Sequence, residues 1–178
     1  MAKPLIFSEI FKESILTGKK TVTRRPIKHS CVQSAVNNNH WYWEKTVPAT
    51  TSIPIPGTDC RWIVQRGTMI TIETTTNHLI NECPWGDVDD VIELATINER
   101  GTAEPFARAI IKNIDIDPLN RITRAQAIAE GMPDIDPINY FAQHWNEIYG
   151  NTHHRWVNNP AVWVMTFEVL PASPEATS

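Results

Sequence analysis

The sequence predicts an α+β fold, a set of short antiparallel strands forming a meander or small barrel and accompanied by helices. Three observations carry that expectation. Several stretches alternate apolar and polar residues with the period of two that a half-buried strand requires. Other stretches repeat apolar residues at helical spacing between recognisable start and stop residues. The chain of 178 residues, 42% hydrophobic and 20% charged, is long enough for one domain with its own core.

The elements follow in order. In PLIFSEIFKESILTGKK, Ser8 suits the cap of a short helix whose core-facing stripe is Ile10, Phe11, Ser14 and Ile15, with Lys12 and Glu13 outside. Gly18 fits the left-handed position just past its end. From His29 to about Thr58 neither period survives, and Pro48, Pro54 and Pro56 interrupt the chain, so residues 29–60 read as an aromatic- and Pro-rich insertion or long surface loop. Within it Trp41, Tyr42 and Trp43 either tack the loop onto the body, the commoner fate of aromatics, or offer a stacking platform for bases.

Strands are expected over Arg61–Arg66, Thr68–Thr76, Asp90–Ile97 and Phe106–Ile116, each β-branched, alternating and bounded by turn residues. TRAQAIAEGM reads as a helix with a capping box from Thr123 to Gln126 and a stop at Gly131. DPINYFAQHWNEIYG reads as a second, with Asp136 as cap, Pro137 in the first turn, a stripe of Tyr140, Phe141, His144, Trp145 and Ile148, and Gly150 past its end. A last strand over Ala161–Leu170 completes a single domain over residues 1–170, and residues 171–178 read as a disordered tail.

Charge is unevenly spread. The chain carries −4 overall, yet residues 1–28 hold seven Lys/Arg (Lys3, Lys12, Lys19, Lys20, Arg24, Arg25, Lys28) against two acids, a balance of +5 that leaves −9 elsewhere. A positive spot on a negative body suits a local anion site better than a surface that wraps a long polyanion. Its densest part is GKKTVTRR, Gly18–Arg25, where the first helix is expected to stop.

Cys31, Cys60 and Cys83 are odd in number and widely spaced, which fits neither a disulfide framework nor a zinc site and reads as free thiols in a reducing compartment. The histidines lack metal-ligand spacing; His144, on the apolar stripe beside Trp145, reads as a core residue. The seven glycines form no phosphate-cradling loop, and no apolar run is long enough to span a membrane. Nor does the N-terminus have the layout of a secretory signal. The expectation is a soluble cytoplasmic protein with no metal, cofactor or membrane partner; oligomeric state is not indicated.

A helix running into G-x-K-T-x-T-R-R, strands, a short helix ending in AIAEGM, an aromatic helix with HW, and a final N-P-x-V-W-V-x-x-F strand together resemble the ASCH superfamily, in particular its phage-type proteins. The resemblance covers roughly residues 4–28 and 83–170. It implies a PUA-like fold, a small β-barrel with flanking helices and a cleft that meets RNA or nucleotides, and a place in host cytoplasm if phage-encoded. CPWGDVDDVIELAT departs from the phage-type pattern C-P-Y-G-x-x-G-D followed by L-W-V-R-E: Asp89 stands where the second Gly is usual, and the Trp and Arg are missing.

Some small ASCH proteins are amidohydrolases that deacetylate N(4)-acetylcytidine without a metal. Carried onto this chain, the resemblance implies Lys20 and Thr23 from the K-T-x-T segment and Glu130 from AEGM as catalytic residues, with Thr21, Arg24 and Arg25 binding substrate. The chemistry is coherent. Thr23 supplies a hydroxyl nucleophile, which needs a base; Lys20 can serve if burial and the crowd of Lys19, Arg24 and Arg25 lower its pKa. Glu130 then shuttles the proton or orients Lys20, while Arg25 holds the carbonyl oxygen or a nucleotide anion.

Strand alternation would point Lys20 and Thr23 to opposite faces unless the backbone turns after Gly18. Read blandly, Thr21 and Thr23 are β-formers, the arginines are solvated or paired, and Glu130 is a surface carboxylate. Two functions stay open at this point: a hydrolase of acylated cytidine, or a module that holds a modified nucleoside or a short RNA or DNA segment through Arg24, Arg25 and Lys28 without turnover.

Overall fold

The structure is a computed structural model and describes residues 3–28, 31–34, 39–46, 60–66 and 69–171. Its strands are β1 (Leu5–Phe7), β2 (Val22–Pro26), β3 (Val32–Gln33), β4 (His40–Thr46), β5 (Cys60–Arg66), β6 (Met69–Thr75), β7 (Val91–Ile97), β8 (Ala103–Pro118) and β9 (Ala161–Val169). The helices are α1 (Lys12–Leu16), α2 (Thr76–Asn81), α3 (Arg124–Ala129) and α4 (Pro137–Tyr149). A five-stranded sheet runs β1-β7-β8-β9-β2 and a four-stranded sheet β3-β4-β6-β5. All pairs are antiparallel except β1 with β7. The fold is α+β, as expected, and its larger sheet is curled into a half-barrel with flanking helices.

The curl has a local cause. Strand β8 spends its first half on β7 and its second on β9, and register shifts at Leu94/Ala95 and Ile111/Asn113 bend it between the two. Strand β9 lies between β8 and β2 and is apolar on both sides. Trp163, Met165 and Phe167 face a core shared with the second sheet, where Trp41, Trp43, Ile70 and Ile72 meet Leu5, Phe7 and Leu94. Val162 and Val164, the alternate residues, face a second core with Phe141 and Trp145 of α4 and Ala127 of α3.

Helix ends set the position of the site. After α1, Gly18 takes φ +70 while its N–H and that of Lys19 return to Ile15 O and Ser14 O. After α3, Gly131 takes φ +91 while its N–H and that of Met132 return to Ile128 O and Ala127 O. Both are left-handed glycine stops that satisfy the last carbonyls of their helices. The two stops are joined by Thr21 N–H donating to Ala129 O at 3.0 Å. Thr123 and Gln126 form the expected capping box of α3.

Several expectations change. Residues 29–60 contain strands β3 and β4, the latter paired along its length with β6; Trp41 and Trp43 are buried rather than offered to bases, and residues 47–59 lie outside the described residues. Residues 172–178 of the expected tail also lie outside them. Strand β1 and helix α2 were not anticipated: three residues are too few to show a period, and α2 announces itself only through Thr75, whose side chain accepts from His78 N–H. Ile10 is exposed, because a single 3-10 turn over Glu9–Phe11 rotates it off the buried side of Phe11 and Ile15. In α4 only Pro137, Phe141 and Trp145 are buried, since the helix meets the sheet on one narrow side; Tyr140 and Ile148 are exposed. Asp136 caps α4 from a left-handed conformation with no side-chain bond to the helix.

The glycine stops yield a stability prediction. A methyl at Gly131 would need a left-handed φ and would lie 3.2 Å from Phe11 Cδ1, whereas at Gly18 it would meet open space. Gly18→Ala should cost about 1 kcal/mol and Gly131→Ala more, about 2 kcal/mol or above, in urea unfolding. Equal losses would contradict the packing of Phe11 on the α3 stop.

Candidate functional site

The two glycine stops deliver Lys20 and Glu130 to one buried place. Glu130 is the last residue of the α3 turn, and its carbonyl and carboxylate both face Lys20. Lys20 Nζ donates to Glu130 Oε2 at 2.9 Å, to Glu130 O at 2.5 Å and to Val22 O at 3.1 Å. Three acceptors on one nitrogen use three N–H donors, which an ammonium has and a neutral amine lacks. The cation also completes the end of α3, where a helix favours positive charge. Its position over the Phe11 ring at 4.8 Å and the Phe7 ring at 5.7 Å adds attraction to the ring faces.

Arg24 reaches the same carboxylate from β2, Nη1 donating to Glu130 Oε1 at 3.1 Å. Lys20, Arg24 and Glu130 are each only 3% exposed. One carboxylate therefore serves two cations away from water. Burial pushes the Lys20 pKa down, Glu130 pushes it back up, and Arg25 and Arg24 push it down again. The Nε and Nη2 groups of Arg24, the edge of the guanidinium suited to a two-pronged acceptor, are buried without a partner. Cross-strand pairing sets Asp115 of β8 in line with Val164 and Arg24. Asp117, whose carboxyl is pushed up by burial and by Asp115, feels the opposing pull of Arg24 and Arg121.

Thr23 is placed differently. Neighbours on β2 point to opposite faces, so with Arg24 turned to Glu130, Thr23 turns to the core between the sheets, beside its cross-strand partner Met165. It is 2% exposed, and no hydrogen bond joins it to Lys20, Arg24 or Glu130. Arg25 shares that face, stacks on Phe7 at 5.1 Å and donates to Ile6 O. The structure thus brings together Lys20, Arg24 and Glu130, and does not join Thr23 or Arg25 to them by hydrogen bonds.

Thr21 lines a groove. An open cleft of about 770 Å³ runs between the α1 stop (Leu16, Thr17, Gly18), Lys20 and Thr21 on one side and Lys112 and Thr166–Pro171 on the other. Its polar side chains are Thr17, Lys20, Thr21, Thr166 and the exposed Lys112–Glu168 pair at 3.6 Å.

A second polar cluster escaped the sequence analysis. On β6, buried Glu73 accepts from Tyr42 Oη at 3.2 Å and pairs with His40 Nδ1. Tyr42 and Glu73 are direct cross-strand partners. Their spacing of thirty-one residues across a stretch read as a loop left no local signal.

No family model matches the chain, and comparison with curated proteins likewise gives no match. Solved structures do. A crystallised protein of Enterococcus faecalis V583, assigned to the family model DUF984, overlays with a TM-score of 0.50 at 12% identity, covering 96% of this chain and 78% of that one. An ASCH domain from Lactobacillus crispatus JV V101 overlays with a TM-score of 0.40 at 12% identity, covering 90% and 70%. The second overlap is too loose to bear on anything further. The first shows the fold. At such identity it does not extend to residues or chemistry.

Glu130 is the testable centre of the cluster. Glu130→Gln leaves two buried cations facing a neutral amide and should cost about 3–5 kcal/mol in chemical denaturation. It also removes the interaction that raises the Lys20 pKa, so that pKa should fall further. A loss below 1 kcal/mol with no downward shift would contradict the shared carboxylate.

Proposed function

We propose that this protein is a binding module for a small nucleoside-class ligand, held in the groove beside Lys20 and Thr21. The observation that carries the reading is that the groove of about 770 Å³ opens at the Lys-Thr segment that resembles the ASCH proteins. Its size suits a nucleoside, since small-molecule sites run from about 300 to 1,000 Å³. Thr21, Thr166 and Lys112 offer donors for the edge of a base or sugar, and Leu16 and Leu170 supply apolar wall. The acidic body, −9 outside residues 1–28, disfavours a long nucleic-acid track.

A second reading, hydrolysis of N(4)-acetylcytidine, is favoured by one observation: burial and two arginines press the Lys20 pKa downward, the direction a base needs. Against it, all three N–H groups of Lys20 are engaged, and Thr23, across the strand pair from Met165, makes no hydrogen bond to Lys20 or Glu130. Binding without turnover accommodates both facts.

Titration with N(4)-acetylcytidine and cytidine, followed by calorimetry and by chromatography for released cytidine, separates the readings. Saturable binding with little dependence on salt and no cytidine release is expected. Thr21→Val should weaken it several-fold and Thr23→Val should leave it unchanged. Cytidine release that Thr23→Val abolishes would replace the module by the hydrolase, and absence of binding at millimolar ligand would remove both.

A further inference from the structure

The opposite end of β2 carries a second pocket. A cavity of about 540 Å³ opens between Pro26 and Lys28 at the exit of β2, Glu82 and Pro84 after α2, and the side chains of Trp85 and Trp163. By the rise of a strand it lies about 15 Å from the groove at Thr21.

Its walls are built for a flat ring. Trp163 is buried and fixed by its indole N–H donating to Leu79 O at 2.8 Å. Trp85 meets it edge-on, ring centroids 6.0 Å apart and planes at 84°. Two indoles at right angles make a corner in which a planar ligand stacks on one and lays its edge against the other. The Trp85 indole N–H has no hydrogen-bond partner among the described residues, so a donor stands ready at the corner.

Charge selects among flat ligands. Glu82, half exposed on the same rim, lies 3.4 Å from His78, which balances its charge only when protonated. Lys28 is exposed and makes no ion pair among the described residues, which leaves a free cation at the rim. A cationic ligand, the usual occupant of an aromatic corner, would meet that charge directly. A planar ring bearing an anion would stack on the indoles and set its charge against Lys28. The cavity is large enough for both parts.

We propose that the Trp85–Trp163 corner is a binding site for a nucleotide unit, its base against the two indoles and its phosphate at Lys28. The site stands on its own residues and not on the groove beside Thr21.

The test follows the tryptophan indole N–H resonances of the full chain by NMR during titration with cytidine 5′-monophosphate, cytidine and inorganic phosphate. The Trp85 signal is assigned from Trp85→Ala and the fold of each variant is checked by thermal unfolding. The nucleotide should shift Trp85 saturably, with cytidine at least tenfold weaker there and phosphate alone silent. Lys28→Glu should weaken the nucleotide tenfold or more without altering the cytidine response. Trp85→Phe, followed by the Trp163 indole signal, should keep part of the affinity, so a folding defect in the alanine variant leaves a readout. A Trp85 signal that stays unmoved while calorimetry of the same titration reports binding would overturn this site while sparing the groove. Equal affinity for cytidine and its monophosphate would overturn the assignment of Lys28.

Discussion

Glu130 holds two cations in a place water does not reach, and the architecture around it follows from that constraint. A carboxylate removed from water costs several kcal/mol unless it is paired and hydrogen-bonded. Here the pairing is supplied by an ammonium arriving from a helix stop and a guanidinium arriving from a strand. Both glycine turns must be left-handed to bring the two backbones together, and Thr21 N–H to Ala129 O is the stitch between them. Lys20, Arg24 and Glu130 thus tie α1, β2 and α3 into one unit on the helical side of the half-barrel.

That tie shapes what the neighbouring residues can do. Because Arg24 turns toward α3, strand alternation sends Thr23 and Arg25 to the other face, where Met165, Trp163 and Phe7 receive them. Lys20 is sequestered rather than poised: its donors are spent on Glu130 and Val22. What remains open to solvent is the groove that Lys20 borders, with Thr21 in its wall. The cluster builds and holds that wall, and in the proposed binding function the ligand contacts fall to residues around it. Two cations meet one carboxylate here, and Arg24 keeps Nε and Nη2 buried without a partner.

Much of this was legible in the sequence, and for identifiable reasons. Gly18 and Gly131 announced helix stops because only glycine accepts the required φ cheaply, and Thr123 with Gln126 announced a helix start through a local hydrogen-bond pattern. Strands β5 to β9 carried a period of two. The contact between Lys20 and Glu130, 110 residues apart, came from family resemblance and not from periodicity. Strand β4 was hidden because HWYWEKT is aromatic on both faces: Trp41 and Trp43 enter the core, while Tyr42 faces Glu73. The facing of Thr23 could not be read, since it depends on where β2 begins; the strand starts at Val22, two residues after Lys20.

The account turns on Lys20 being a charged ammonium locked between three oxygens. A nitrogen-15 NMR spectrum of the lysine side chains at neutral pH measures this directly. The prediction is one ammonium signal, lost in Lys20→Met, whose protons exchange with water far more slowly than those of the other lysines and which speeds up in Glu130→Gln. A Lys20 signal that exchanges as fast as an exposed lysine, or that has the shift of a neutral amine, would contradict it.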